Sequence, residues 1–218
     1  MTKPILRLIE GGLVEKEKAE KQFVSATITD TRLMGATAMY VQWHLLSCPD
    51  VESFHQFFYF DDEEFGFETY RSVWGDDEDE VLVMEQALMG GLGGTKKDLT
   101  QNQALYLICK YAAWNITHAL PLPEGESEYA IILADPPQLT EAEKNALNEK
   151  ICTPLKSDYH AINYYLMRCF GRDEEGAGFL VKRDPYAIHS LHDAPLSWVP
   201  NHLPATFCRN IIEDVDGA

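Results

Sequence analysis

The chain has no long hydrophobic run, no excess of basic charge and no clustered cysteines, and each absence removes a class of function. No apolar stretch nears the ~18 residues that a membrane helix needs. The N-terminal MTKPILRLIEGGLVEKEK has only a short apolar cluster broken by Arg7, below the ~7–15 residues of a secretory core, so export is not expected. Lys and Arg total 18 against 35 Asp and Glu, a formal charge of −17, and no Lys/Arg run exceeds two residues. Nucleic-acid binding needs a positive footprint on phosphate, and an anionic membrane would repel such a chain. Neither is an expected partner. The charge suits solubility and a basic partner. Five cysteines (Cys48, Cys109, Cys152, Cys169 and Cys208) form an odd, scattered set without a CxxC pair, which fits free thiols in a reducing cytoplasm.

Motifs of common chemistries are missing as well. MGGLGGTKK, residues 89–97, resembles a phosphate-binding loop in composition, with Gly93, Gly94, Thr95 and Lys96 as the residues that would hold the anion. Its spacing fits neither G-x-x-x-x-G-K-[ST] nor G-x-G-x-x-G, and it follows a helical pattern where both motifs follow a strand. A helix stop with a left-handed glycine cap, then a flexible joint, is the expectation. No G-x-S-x-G occurs. Cys109 falls in a helical apolar stripe, where a thiol is usually inert packing. His189, His192 and Asp193 put three side chains of metal-ligating type within five residues, but no HExxH or CxxC accompanies the histidine pair, and its third zinc ligand is unassigned. No cofactor is expected.

What is present reads as strands first and helices afterwards. FVSATITDTRL (23–33), ATAMYVQWHLL (36–46), FHQFFYF (54–60) and FGFETYRSV (65–73) are rich in β-branched and aromatic residues and separated by turn-like pieces, the pattern of an antiparallel meander. Acids open a helical pattern at Asp76. Thr100 and Gln103 have capping-box spacing before a stripe of Leu105, Ile108, Ala112 and Ile116, and Thr140 and Glu143 repeat that spacing. EYAIILAD (128–135) reads as a buried strand, and SDYHAINYYLMRCF (157–170) and 185–193 as helices. The order predicts an α+β class: an N-terminal meander of about four strands, residues 23–73, covered on one face by helices of the C-terminal half. Residues 1–218 are read as a single domain, with 75–97 as the place where a boundary would fall.

Turn positions then predict register. A turn centred at Pro49-Asp50 sets His44 opposite His55 and Tyr40 opposite Tyr59. A turn at Met34-Gly35 sets Thr27 opposite Gln42. The acidic turn 61–64, read as solvated, sets Tyr70 opposite His55 and Glu68 opposite Phe57. Alternation then gathers Val24, Ala26, Ile28, Met39, Val41, Trp43, Leu45, Phe54, Phe58, Phe60 and Phe67 on a core face. The other face carries Ser25, Thr27, Thr29, Tyr40, Gln42, His44, His55, Phe57, Tyr59, Glu68 and Tyr70. Aromatic and histidine side chains without lysine resemble the centre of an interface. Tyr40, Gln42, His44, His55, Tyr59, Glu68 and Tyr70 are therefore the candidate binding surface. The leading expectation is a non-enzymatic binding or interaction module, its partner a protein or a second copy of this chain. The rival expectation is a small metal-dependent or cysteine/histidine hydrolase.

Overall fold

A computed structural model describes residues 20–46, 51–92, 94–152, 173 and 175–176. Five antiparallel strands form one sheet: β1 (Lys21–Thr29), β2 (Ala36–Leu45), β3 (Ser53–Asp61), β4 (Gly66–Trp74) and β5 (Lys96–Leu99), in the order β4-β3-β2-β1-β5. Among the described residues four helices follow the meander: α1 (Glu78–Met89), α2 (Gln101–Thr117), α3 (Glu126–Ala134) and α4 (Glu141–Ile151). The class is α+β, as the order of patterns implies. No described helix is long and apolar enough to cross a membrane. The readings of 157–170 and 185–193, and His189, His192, Asp193, Gly93, Cys48, Cys169 and Cys208, lie outside the described residues.

The local signals for helix starts hold at atomic level. Thr100 Oγ1 accepts from Gln103 N at 3.3 Å while Gln103 Oε1 accepts from Thr100 N at 3.2 Å, a closed capping box, and Thr140 with Glu143 forms another. Asp77 caps α1 by accepting from Asp79 N and Glu80 N, and the acids of that first turn lie where the helix dipole favours them. The α2 stripe is rotated from its expected place. Ala104, Leu107, Ile108, Tyr111, Ala112 and Asn115 are buried, whereas Ile116 is 71% exposed.

Residues 128–135 correct the sequence reading, since 128–134 belong to a helix, with Asp135 as its C-cap, rather than to a strand. A short apolar run fits both periods, and its length does not arbitrate. Here Glu126 and Glu128 occupy a first turn, and Tyr129 and Ile132 point inward three residues apart while Ile131 is left out in solvent. Strand β5 is a second correction, because the joint after the glycines pairs with β1. Gly90 is a third. It stays right-handed at φ −64°, so helix α1 runs into a 3₁₀ turn without the left-handed cap.

Register differs from expectation in a way that separates harmless slips from decisive ones. On β2 and β3, Gln42 faces His55 and Tyr40 faces Phe57, a shift of two residues. An even shift leaves every side chain on its expected face. Ala26, Ile28, Met39, Val41, Trp43, Leu45, Phe54, Phe58, Phe60 and Phe67 are accordingly buried together. Val24 is the exception. It is the extra residue of a bulge between Phe23 and Ser25 and is 50% exposed. On β4 the shift is odd. Tyr70 faces Phe58, and Glu68 is the extra residue between Phe67 and Thr69. The bulge turns Tyr70 over to the core face, where it is 3% exposed.

Helices lie on both faces of the sheet. On the Phe58 face, Tyr111 of α2 stacks on Phe60 at 4.2 Å and Tyr129 of α3 meets Tyr70 at 4.9 Å. Helix α1 packs against β2, β3 and β4 from the opposite side. There Phe57 is fully buried and Met89 nearly so.

Candidate functional site

The sequence-predicted surface is partly covered from within the chain: His55 is buried, Tyr40, Gln42, His44 and Tyr59 are half-buried and Glu68 is exposed. His55 Nε2 meets the Gly75 carbonyl at 3.0 Å and Nδ1 meets the Tyr40 hydroxyl at 2.7 Å. A carbonyl only accepts, so Nε2 carries the proton and Nδ1 accepts from Tyr40. Burial lowers the His55 pKa, consistent with a neutral ring. Burial, with the Glu85 carboxylate of α1, raises Tyr40 to about 12, and burial with Glu68 and Asp61 does the same to Tyr59. His44 faces Ser53 and His55 faces Gln42, so the directly opposed pair expected from the turn does not form. Gln42 is half-buried beside Ser25, whose hydroxyl donates to it at 3.4 Å. Glu68 is exposed on the bulge. Tyr70 belongs to a network on the other face. Gln56 donates to its hydroxyl, which donates to Glu128, while Trp43 donates to Gln56 and Trp74 to Glu128.

The glycine segment does hold an anion, and the anion is part of the chain. Thr95 donates to the Asp30 carboxylate through its backbone N–H, at 2.7 Å, and through its hydroxyl, and Lys97 Nζ lies 3.5 Å away. Gly94 is required by close approach, because a Cβ there would sit 2.4 Å from Thr31 Cγ2 and 2.8 Å from Asp30 Oδ1. Lys96 pairs with Glu85 at 2.5 Å. Among the described residues no group of three or more His, Cys, Asp and Glu is placed to hold a metal ion. Burial raises both described thiols, Cys152 to about 12, so neither is primed as a nucleophile.

A different place gathers charge. The β1–β2 turn and the β3–β4 turn lie at the same end of the sheet, tied by Asp62 N donating to Gly35 O at 2.8 Å. Arg32, in a 3₁₀ turn after β1, is 3% exposed. Its Nε and Nη2 donate to the two oxygens of Asp173 at 3.0 and 2.7 Å, Nη1 donates to Asn148 at 2.8 Å, and Nη2 reaches Glu175 at 3.2 Å. Asp62 lies 3.6 Å from Nε and accepts from Tyr111 and, at 3.2 Å, from Thr37. The acidic turn is thus not wholly solvated: Asp62 and Glu63 are 6% and 4% exposed.

Above this layer opens a cleft of about 350 Å³, lined by Arg32, Asp61, Asp62, Lys110, Tyr111, Trp114, His118, Asp173 and Glu175. Four carboxyl groups there meet two cations. Burial pushes Asp62 up to about 7 against the pull of Arg32. Burial would raise Glu175 too, but Arg32 and Lys110 outweigh it and hold that carboxyl down at about 2. Trp114 and His118 stack at 4.1 Å on the α2 side, and His118 Nδ1 meets the Trp114 carbonyl at 2.9 Å.

Local backbone features set that wall. Helix α2 ends in a Schellman arrangement, Ala119 N donating to Ile116 O and Leu120 N to Asn115 O, with Ala119 at φ +56° where glycine is usual. One turn earlier, buried Asn115 accepts from Phe67 N at 2.8 Å and donates to Phe67 O and Pro121 O, both at 2.9 Å. A side-chain amide thereby substitutes for a neighbouring strand on the edge of β4 and anchors α2 over the cleft. Asn115 also heads an Asn-Ile-Thr glycosylation pattern, but its burial leaves no room for a sugar.

Sequence reasoning did not find the cleft. Its residues come from two turns, the α2 helix with its C-cap His118, and Asp173 and Glu175, and the Arg32–Asp173 contact spans 141 positions. The available signal was local: Lys110, Trp114 and His118 flank the buried stripe of α2, to which Tyr111 belongs, and an acidic turn stands at the end of β3. Compared with protein-family models, with curated proteins and with solved structures, the chain matches none.

Proposed function

We propose that this protein is a non-enzymatic binding module whose contact site is the acidic cleft and whose partner is a protein presenting a basic side chain. The observation that carries this reading is the lining itself, four carboxyl groups against Arg32 and Lys110, with the stacked Trp114–His118 pair beside them. A cation gains from both parts, because the carboxylates attract it at range and an aromatic face receives it at contact. The net charge of −17 supports the same sign of partner. The sheet face first singled out by sequence is a poorer candidate, since α1 lies over its centre.

The test is a titration of the full chain with a lysine-rich peptide, followed by the indole N–H resonance of Trp114. Binding is expected to weaken steeply with added salt, and Trp114→Ala or Glu175→Gln is expected to weaken it ~10-fold or more. A peptide that binds both variants as tightly as the parent, or one that moves residues elsewhere, refutes the cleft as the site.

A further inference from the structure

The two cations of the cleft are held differently. Arg32 is buried, and its donors are taken by Asp173, Asn148 and Glu175. Lys110 reaches in from α2 with its side chain 27% exposed, its ammonium on Glu175 and 5.9 Å from the Tyr111 ring centre. Glu175 is itself 43% exposed. If Lys110 left, Glu175 would keep Arg32 on Oε2 and Asn148, at 2.9 Å, on Oε1. An ion pair this open changes an equilibrium constant by about fivefold or less, so Lys110 is displaceable where Arg32 is not.

We propose that Lys110 is a tethered stand-in for the ligand: its ammonium fills the position that a lysine of the partner takes, and the partner's lysine displaces it. This rests on the cleft reading given above and names the ligand group. The group is a primary ammonium rather than a guanidinium. The position that Lys110 fills is a single site on Glu175 Oε2, which one ammonium N–H takes, whereas a guanidinium binds best to both oxygens of a carboxylate and would have to share Oε1 with Asn148. Replacing one ammonium by another leaves the Arg32 layer beneath undisturbed. Lys110 then turns to solvent on its flexible stem. Without a partner, Lys110 keeps the carboxylate at the mouth neutralised.

Three probes decide the matter: a short neutral peptide with one lysine, the same peptide with acetyl-lysine, and the same with arginine. Each is titrated into the full chain and into Lys110→Met, Lys110→Arg and Lys96→Gln. Lys96 pairs with Glu85 of α1 and does not line the cleft, so its variant controls for the loss of one positive charge. The lysine peptide is expected to bind Lys110→Met roughly 3–5-fold tighter than the parent, Lys110→Arg with an affinity between those two, and Lys96→Gln within ~2-fold of the parent. Acetylation is expected to abolish binding, and arginine to weaken it. If the parent binds and Lys110→Met binds no tighter, the displacement proposal is overturned while the cleft reading stands. Equal tightening by Lys96→Gln, or a stronger arginine peptide, also overturns it. If neither parent nor Lys110→Met binds the lysine peptide, both readings fall.

Discussion

Asp62 makes the stability of this protein fall as pH rises through neutrality. Its carboxyl is ordinary in the unfolded chain, with a pKa of 3.8, and is pushed up to about 7 in the fold by burial. A native pKa above the unfolded one means that the folded state favours the protonated form. The associated stabilisation is fully present below pH 3.8 and is lost as pH rises to 7. The whole span corresponds to about 4 kcal/mol at 1.36 kcal/mol per pH unit, of which about 3 kcal/mol lies between pH 5 and pH 8. His55 pulls the other way below its usual pKa, because its folded value is lowered and charging it favours unfolding. The parent alone would therefore mix two effects. Asp62→Asn separates them. It preserves an acceptor for Tyr111, cannot titrate, and leaves Arg32 its bidentate partner Asp173. Urea unfolding of both proteins at pH 5 and pH 8, at fixed ionic strength, gives the variant's stability relative to the parent at each pH. The variant is expected to gain about 3 kcal/mol on the parent between the two pH values, whatever the substitution costs in packing. A difference that is the same at both pH values would show that Asp62 does not titrate in this range, and would remove the buried-acid description of the cleft floor.

Two further outcomes follow from the α2 wall. Asn115→Ala leaves Phe67 N–H and C=O without their side-chain partner and is expected to cost about 2–6 kcal/mol, from about 1–3 kcal/mol for each stranded group; denaturant midpoints measure the loss, and faster hydrogen exchange at Phe67 N–H would locate it. Ala119→Gly relieves a left-handed alanine at φ +56° and is expected to stabilise by about 1 kcal/mol, a rise in melting temperature; an unchanged or lower value would mean that the turn gains nothing from glycine.

Particular residues show why part of the site was legible and part was not. Capping boxes at Thr100 and Thr140 span three residues and are complete in the local chain, so reading them needs no tertiary knowledge. Tyr40, His55 and Tyr59 were placed on the correct face because the slip in the second hairpin is even. Tyr70 was misplaced because one bulge residue, Glu68, makes the slip on β4 odd. The segment 128–135 carries an apolar run without a decisive period, and the Tyr70 and Phe67 rings waiting on the sheet select the helix that brings Tyr129 to them. Arg32 falls near the end of the strand-like run 23–33 in the sequence, and only the fold brings Asp62, Asn148, Asp173 and Glu175 to it.

The sequence by itself determined the α+β class, the strand-then-helix order, most of the buried face and the two capping boxes, because each rests on residue spacing within one element. The tertiary structure alone decided the odd register of β4, the strand after the glycines, the cover of α1 on the second face and the charged cleft. Those depend on which distant surfaces meet. A buried charge persists only where partners of opposite sign arrive from elsewhere in the chain, and no local pattern records their arrival.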